Sequence, residues 1–178
     1  CWAILLSRYL QKREVVFGVT VSGRSISLPG IEEMVGIFIN TVPLRIEVCG
    51  GETVRKFLHR VQQLMAEVNE HGYLALSTIQ TYPKLPADQD LFDNILVFEN
   101  YPIDERIKTN KSDCIITGLQ GYLKNKYGIT LVVTPFKEML FEIRYDKNYF
   151  DKKIIYTIEQ SILFVLKQIV DDTNKKIL

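Results

Sequence analysis

Histidine is the side chain that most readily does acid–base work near neutral pH, and this sequence holds 2, His59 and His71. His59 follows Leu58 in a helical stretch and falls off its apolar stripe, which reads as a surface position. His71 stands where that helix should end, and a helix C-terminus favours a cation. A capping role therefore accounts for it better than catalysis. Ser22 sits in Ser22-Gly23-Arg24, a turn at a strand end where a nucleophile could be displayed. Turn chemistry alone also explains that tripeptide. No GxSxG elbow, phosphate-binding glycine loop or HExxH segment is present. Asp88, Asp90 and Asp93 lie close together, but a solvated turn explains them more simply than a calcium site. Asn40 and Thr41 stand at a strand entrance, where polar residues often line a site. Arg45 follows on the polar side of that strand and either faces solvent or pairs with a buried acid such as Glu99 or Glu142. By themselves these residues describe a soluble α/β domain with a polar cleft.

The bulk properties narrow the class of partner. With 22 basic and 21 acidic residues the net charge is +1, so no global field exists to hold nucleic acid. A hydrophobic share of 47% against 24% charged suits one sizeable core in a chain of 178 residues. The 3 cysteines, Cys1, Cys49 and Cys114, show no metal or redox spacing and read as reduced thiols of a cytoplasmic protein. The apolar run from Ile162 to Val170 is interrupted by Lys167 and is too short to span a bilayer. No signal peptide is visible, and no membrane association is expected. The chain opens at Cys1-Trp2-Ala3-Ile4 inside a helical pattern, which suggests a piece of a longer polypeptide.

The elements follow from periodicity. Trp2, Leu5, Leu6 and Tyr9 recur at helical spacing. Val15 to Val21 alternates as a strand, and Val42, Leu44, Ile46 and Val48 alternate more cleanly still. Pro43 cannot donate to a ladder, which puts the start of that second strand at an edge or an irregularity. Ile31 to Phe38, between the two strands, is a short apolar segment. Thr53 caps a long helix whose stripe runs from Val54 to Val68 and which Gly72 stops, at a place where positive φ is often wanted. Leu74 to Gln80 adds a helical turn, and Thr81 to Asp90 is loop. Ile95 to Phe98 reads as a strand buried on both faces, and Ile103 to Asp113 as a charged loop. Ile129–Thr134 and Leu140–Tyr145 form a hairpin around Pro135 to Glu138. A last helix starts from Asp151, with Phe150 and Ile155 as a hydrophobic staple. The fold class is therefore α/β, a two-layer sandwich of helices on a mixed β-sheet.

Three stretches in order carry a resemblance. Val35-Gly36-Ile37-Phe38-Ile39-Asn40-Thr41-Val42-Pro43-Leu44-Arg45 resembles the (I/V)GxF(V/I)NTxPxR motif of condensation domains of nonribosomal peptide synthetases. Val16 to Arg24 looks like the segment that precedes this motif, and Leu91 to Pro102 is similar to the family's LFDxxxVFENYP segment. The resemblance covers essentially the whole chain, more loosely from Tyr127 onward. The HHxxxDG motif that holds the family's catalytic histidines is absent from these residues. Two later motifs are reduced to His71 to Leu76 and Asp88 to Phe92. The Asn-Thr-x-Pro order favours an amide-forming subtype over epimerization.

The resemblance implies that residues 1–178 are the C-terminal lobe of a condensation domain with a chloramphenicol acetyltransferase-like fold. No catalytic residue is expected in this lobe, which would form one wall of a substrate tunnel. Ser22, Asn40 and Thr41 would lie along the tunnel, and Gly23, Arg24, Gly36, Pro43 and Arg45 would hold the motif's geometry. No cofactor or metal would bind directly, because phosphopantetheine arrives on partner carrier proteins. The expected partners are peptidyl carrier proteins, the N-terminal lobe and a neighbouring adenylation domain. Ser25 to Met34 and Ile115 to Tyr127 are the segments expected to reach the other lobe. An isolated lobe with that face open should self-associate. Two other readings stand beside this one: a lobe of a coenzyme A-dependent acyltransferase, and a non-catalytic module that binds carrier proteins.

Overall fold

The computed structural model describes residues 1–25, 28–31, 33–82, 89–99, 126–135 and 138–177. The elements run α1 (Trp2–Leu10), β1 (Glu14–Ser22), β2 (Ile39–Glu47), α2 (Val54–Glu70), α3 (Leu76–Ile79), β3 (Asn94–Phe98), β4 (Ile129–Pro135), β5 (Met139–Tyr145) and α4 (Lys152–Asp171). The strands form one mixed 5-stranded sheet in the order β2-β1-β3-β4-β5. β1 pairs antiparallel with β2 and parallel with β3, β3 runs parallel to β4, and the β4–β5 hairpin is antiparallel. Among the described residues β2 is thus an edge strand, one of the two placements that Pro43 allows.

Alternation sends Val15, Phe17, Val19 and Val21 of β1 to one face, beside Leu44 and Ile46 of β2 and Leu131 and Val133 of β4. That face meets Trp2 and Leu5 of α1, Phe57 of α2 and Ile158 and Ile162 of α4 in a single core. Phe17 and Phe57 are its largest fully buried side chains.

Both long helices begin on side-chain caps. Thr53 Oγ1 accepts from the Lys56 amide at 3.4 Å, and Asp151 Oδ1 accepts from that of Ile154 at 2.8 Å. Phe150 and Ile155 both pack against the core, where the staple puts them. The first turn of α2 is closed further by the chain's last residues. The amides of Val54 and Arg55 donate to the carbonyls of Lys175 and Thr173, which satisfies donors that a helix start leaves open. Ile177 is buried beside them.

One buried polar pair links α1 to the middle of the sheet. Trp2 Nε1 donates to Asn94 Oδ1 at 2.8 Å, and Asn94 Nδ2 donates to Asp93 Oδ1 at 2.8 Å. Asn94→Leu leaves the indole N–H buried without an acceptor, so a loss of about 1–3 kcal/mol is expected in chemical denaturation. An unchanged midpoint would mean that the indole finds another acceptor.

Several local expectations are revised. Ile95 is buried, but Phe98 at the other end of β3 is 54% exposed. β1 pairs only with Ile95 and Leu96, so the C-terminal end of β3 runs on beyond its neighbour. Gly72 follows the α2 cap without positive φ; among the described glycines only Gly30 has one. Gly72 is needed for room, since a Cβ there would come within 2.8 Å of Val21 Cγ2. Between β1 and β2, Ile31 is buried, whereas the rest of the apolar segment lies mainly at the surface. The charged segment from Ile103 to Asp113 lies outside the described residues.

Candidate functional site

The β1–β2 ladder sorts the candidate residues by face. In its register Thr20 lies opposite Thr41, Ser22 opposite Ile39, Gly18 opposite Pro43, and Val21 opposite Asn40. Partners across a ladder share a face. Ser22, Thr41, Thr20 and Pro43 therefore stand on the face turned away from α1, α2 and α4. Ser22 and Thr41 are diagonal neighbours there, with Cα atoms roughly 7–8 Å apart. Asn40 belongs to the opposite, core-facing side.

Asn40 is committed on that side. Its Nδ2 donates to the carbonyls of Gly72, at 2.8 Å, and Leu74, at 2.7 Å. Its Oδ1 accepts from the Thr41 amide at 2.9 Å. One amide group thus ties the start of β2 to the turn between α2 and α3. It also holds the backbone on which Thr41 is displayed.

Gly23 closes the other strand of the hairpin. Its N–H donates to the Phe38 carbonyl at 2.8 Å, and a Cβ at this position would stand 2.5 Å from that same oxygen. Arg24 then organises the loop that joins the strands. Its guanidinium donates to the carbonyls of Ile31 and, at 2.7 Å, Met34, and lies 4.1 Å from the centre of the Phe38 ring. Gly36 faces the same ring, with 3.2 Å from its would-be Cβ to the ring edge.

Arg45 pairs with neither Glu99 nor Glu142. It is exposed and meets Glu14 of β1 at 2.5 Å. β2 and β5 are opposite edges of the sheet, so roughly 19 Å of strand spacings separates Arg45 from the strand of Glu142. Glu142 is instead held by Arg144 at 2.6 Å, whose guanidinium keeps the carboxyl below its usual range.

Among the described residues, the remaining polar candidates do not converge. His71 caps α2 with Nδ1 3.0 Å from the Glu67 carbonyl, whereas exposed His59 contacts Gln63. About 18 Å of helix separates the two imidazoles' backbone positions. Asp90 binds Lys126 at 2.6 Å and accepts from Gln80 at 3.3 Å, and the Lys126 hydrogen bond holds its carboxyl below the usual range. Asp93 is engaged by Asn94. Asp88, Cys114 and Ile115 to Asn125 lie outside the described residues, and Cys1 and Cys49 are free thiols. The roles of Phe38 as the platform for Arg24 and of Gly72 and Leu74 as acceptors for Asn40 had no signal in residue type or spacing. Both depend on contacts across a loop or between layers. Among the described residues, no helix is long and apolar enough to cross a membrane.

Several known proteins resemble this chain in sequence or in shape. A family model described as Condensation domain matches residues 1–178. A linear gramicidin synthase from Brevibacillus parabrevis is 36% identical over 174 residues, which is 98% of this chain and 2% of the relative. Surfactin synthase subunit 3 of Bacillus subtilis (strain 168) is 33% identical over 178 residues, 99% of this chain and 14% of the relative. The crystal structure of holo T3CT superposes with a TM-score of 0.87 at 22% identity, covering 99% of this chain and 41% of that one. The first condensation domain of the CDA synthetase superposes with a TM-score of 0.72 at 17% identity, covering 99% and 39%. The chain therefore spans about two fifths of these solved chains and a small part of the curated relatives. The fold is of the chloramphenicol acetyltransferase-like class, with helices on a mixed sheet.

Proposed function

The chain belongs to the condensation-domain family, and on that premise we propose that residues 1–178 are the C-terminal lobe of a domain that joins two carrier-tethered substrates through an amide bond. The α-amine of the acceptor attacks the thioester carbonyl of the donor. A C–N bond forms, the C–S bond breaks, and the donor's phosphopantetheine thiol leaves with the proton the amine gives up. An amine of pKa near 8 is already partly neutral at physiological pH. Holding two tethered reactants in line then supplies much of the acceleration. The histidines of the HHxxxDG motif belong to the companion N-terminal lobe, and this chain provides the facing wall.

One observation carries the assignment. Ser22 and Thr41 are neighbours on the face of the sheet turned away from α1, α2 and α4. Two hydroxyls in that place can donate to an amide or thioester carbonyl. Asn40 acts from behind by fixing the backbone of Thr41. Arg24 and Gly23 hold the loop beside it, and Pro43 and Arg45 occupy the edge strand. The partners are two peptidyl carrier proteins, the companion lobe and an adjoining adenylation domain, in the cytoplasm.

The test is a mass-detected condensation assay with two loaded carrier proteins. Product is expected from the intact domain and none from this chain alone. Product from this chain alone would relocate the chemistry to Ser22 or His71.

A further inference from the structure

Two adjoining hollows beside α1 are lined by cations and by no acidic side chain. Ile4, Val54, Val165, Ile169 and Ile177 wall an apolar groove of about 420 Å3 between α1, α4 and the chain's last residues. Phe164, 65% exposed, also lines it, and Arg8 and Lys175 supply its charge. That volume falls in the range of small-molecule sites. Arg8 lines a second hollow as well, of about 230 Å3, together with Lys12 and Arg13. The groove lies on the helical side of the sheet, opposite the face of Ser22 and Thr41. Among the described residues, none of these 4 cations has a carboxylate partner. Lys175 Nζ donates to the neutral Gln168 Oε1 at 2.7 Å, and Glu14, next in sequence to Arg13, is taken by Arg45.

The backbone that carries the cations is fixed. Gln11 ends α1 at a φ of 53°, and its Nε2 donates to the Arg8 carbonyl at 2.8 Å. Ser7 Oγ donates to the Lys12 carbonyl at 2.6 Å, and the Val48 amide to that of Arg13 at 2.8 Å. A helix C-terminus accounts for one cation such as Arg8. Lys12 and Arg13 lie past it, and like charges gathered round one hollow repel one another unless an anion joins them.

We propose that the groove binds a single-chain anionic amphiphile. Its apolar chain lies along Ile4, Val54, Val165, Ile169 and Ile177, and its anionic head meets Arg8, with Lys12 and Arg13 beyond. A free phosphate has no use for the apolar groove, and a neutral apolar ligand has no use for the cations. The site shares no residue with the amide-forming reading and is independent of it.

The experiment titrates decanoate into the intact domain by calorimetry and maps its position with a decanoate that carries a terminal diazirine. Irradiation should label peptides from α1 and from Phe164 to Ile177. Arg8→Gln, at an exposed position, should leave the Tm unchanged and weaken decanoate about tenfold, the loss of one charge-assisted hydrogen bond. Phe164→Asp, which sets a like charge beside the chain, should weaken it at least as much. Decyltrimethylammonium, with the opposite head charge, should not compete. Label confined to the strands of Ser22 and Thr41 would put the amphiphile in the tunnel and overturn the proposal. Unchanged affinity in Arg8→Gln, equal affinity for the cationic amphiphile, or binding to phosphatidylglycerol vesicles without binding to free decanoate would overturn it too.

Discussion

Asn40→Ala is expected to cost the intact domain about 2–3 kcal/mol, since it removes the partner of three backbone groups at once. The carbonyls of Gly72 and Leu74 lose their donor, and the Thr41 amide loses its acceptor. Asn40→Asp separates the two halves of the role. It keeps an acceptor for Thr41 but turns a carboxylate toward two carbonyl oxygens, so it should destabilise at least as much as alanine. Urea denaturation measures both, and the condensation assay run well below the melting transition measures what positioning is worth. A positioning role predicts that turnover falls in both variants, because Thr41 moves with its backbone. Variants that keep full turnover and substrate binding would remove Asn40 from the site, and variants that keep full stability would remove it from the frame.

The division between Asn40 and Thr41 shows where residue patterns stop being informative. Alternation along Val42, Leu44, Ile46 and Val48 fixed which side of β2 is apolar, and the structure buries all four. Period 2 by itself already separates position 40 from position 41. What it lacks is any statement of what stands on each face. A polar residue on the core side is usable only if something there accepts its hydrogen bonds. The acceptors are two carbonyls more than thirty residues away, freed where α2 ends. Arg45 fails for the same reason in reverse. Charge alone makes Glu142 an acceptable partner, but the sheet order puts it at the far edge, and Glu14 of the adjoining strand takes its place. Elements set by local rules, such as the Thr53 and Asp151 caps and the β4–β5 hairpin, appear where the residues put them. Contacts set by strand order or by long loops do not.

Gly23→Ala should be as damaging as many core truncations, even though it adds one methyl group at a turn. The new Cβ would lie 2.5 Å from the Phe38 carbonyl oxygen, and that oxygen is held in place by the Gly23 amide itself. No side chain can rotate away, so the end of the hairpin must open. A cost of about 3 kcal/mol, at the upper end for overpacking, is expected. Ser22 precedes the displaced residue and Arg24 follows it, so the hydroxyl and the whole loop shift together. A displacement near 1 Å at a positioned group can lower turnover on the order of 100-fold. Gly36→Ala is the matched comparison. Its Cβ meets the edge of the Phe38 ring at 3.2 Å, a side chain that can yield by a few tenths of an ångström. If the site depends on the closure of the hairpin and not on glycine content in this loop, Gly36→Ala keeps most of its turnover and its denaturation midpoint, and Gly23→Ala keeps neither. Equal losses in the two would instead place the requirement in the Phe38 ring and its stacking with Arg24, which both substitutions disturb.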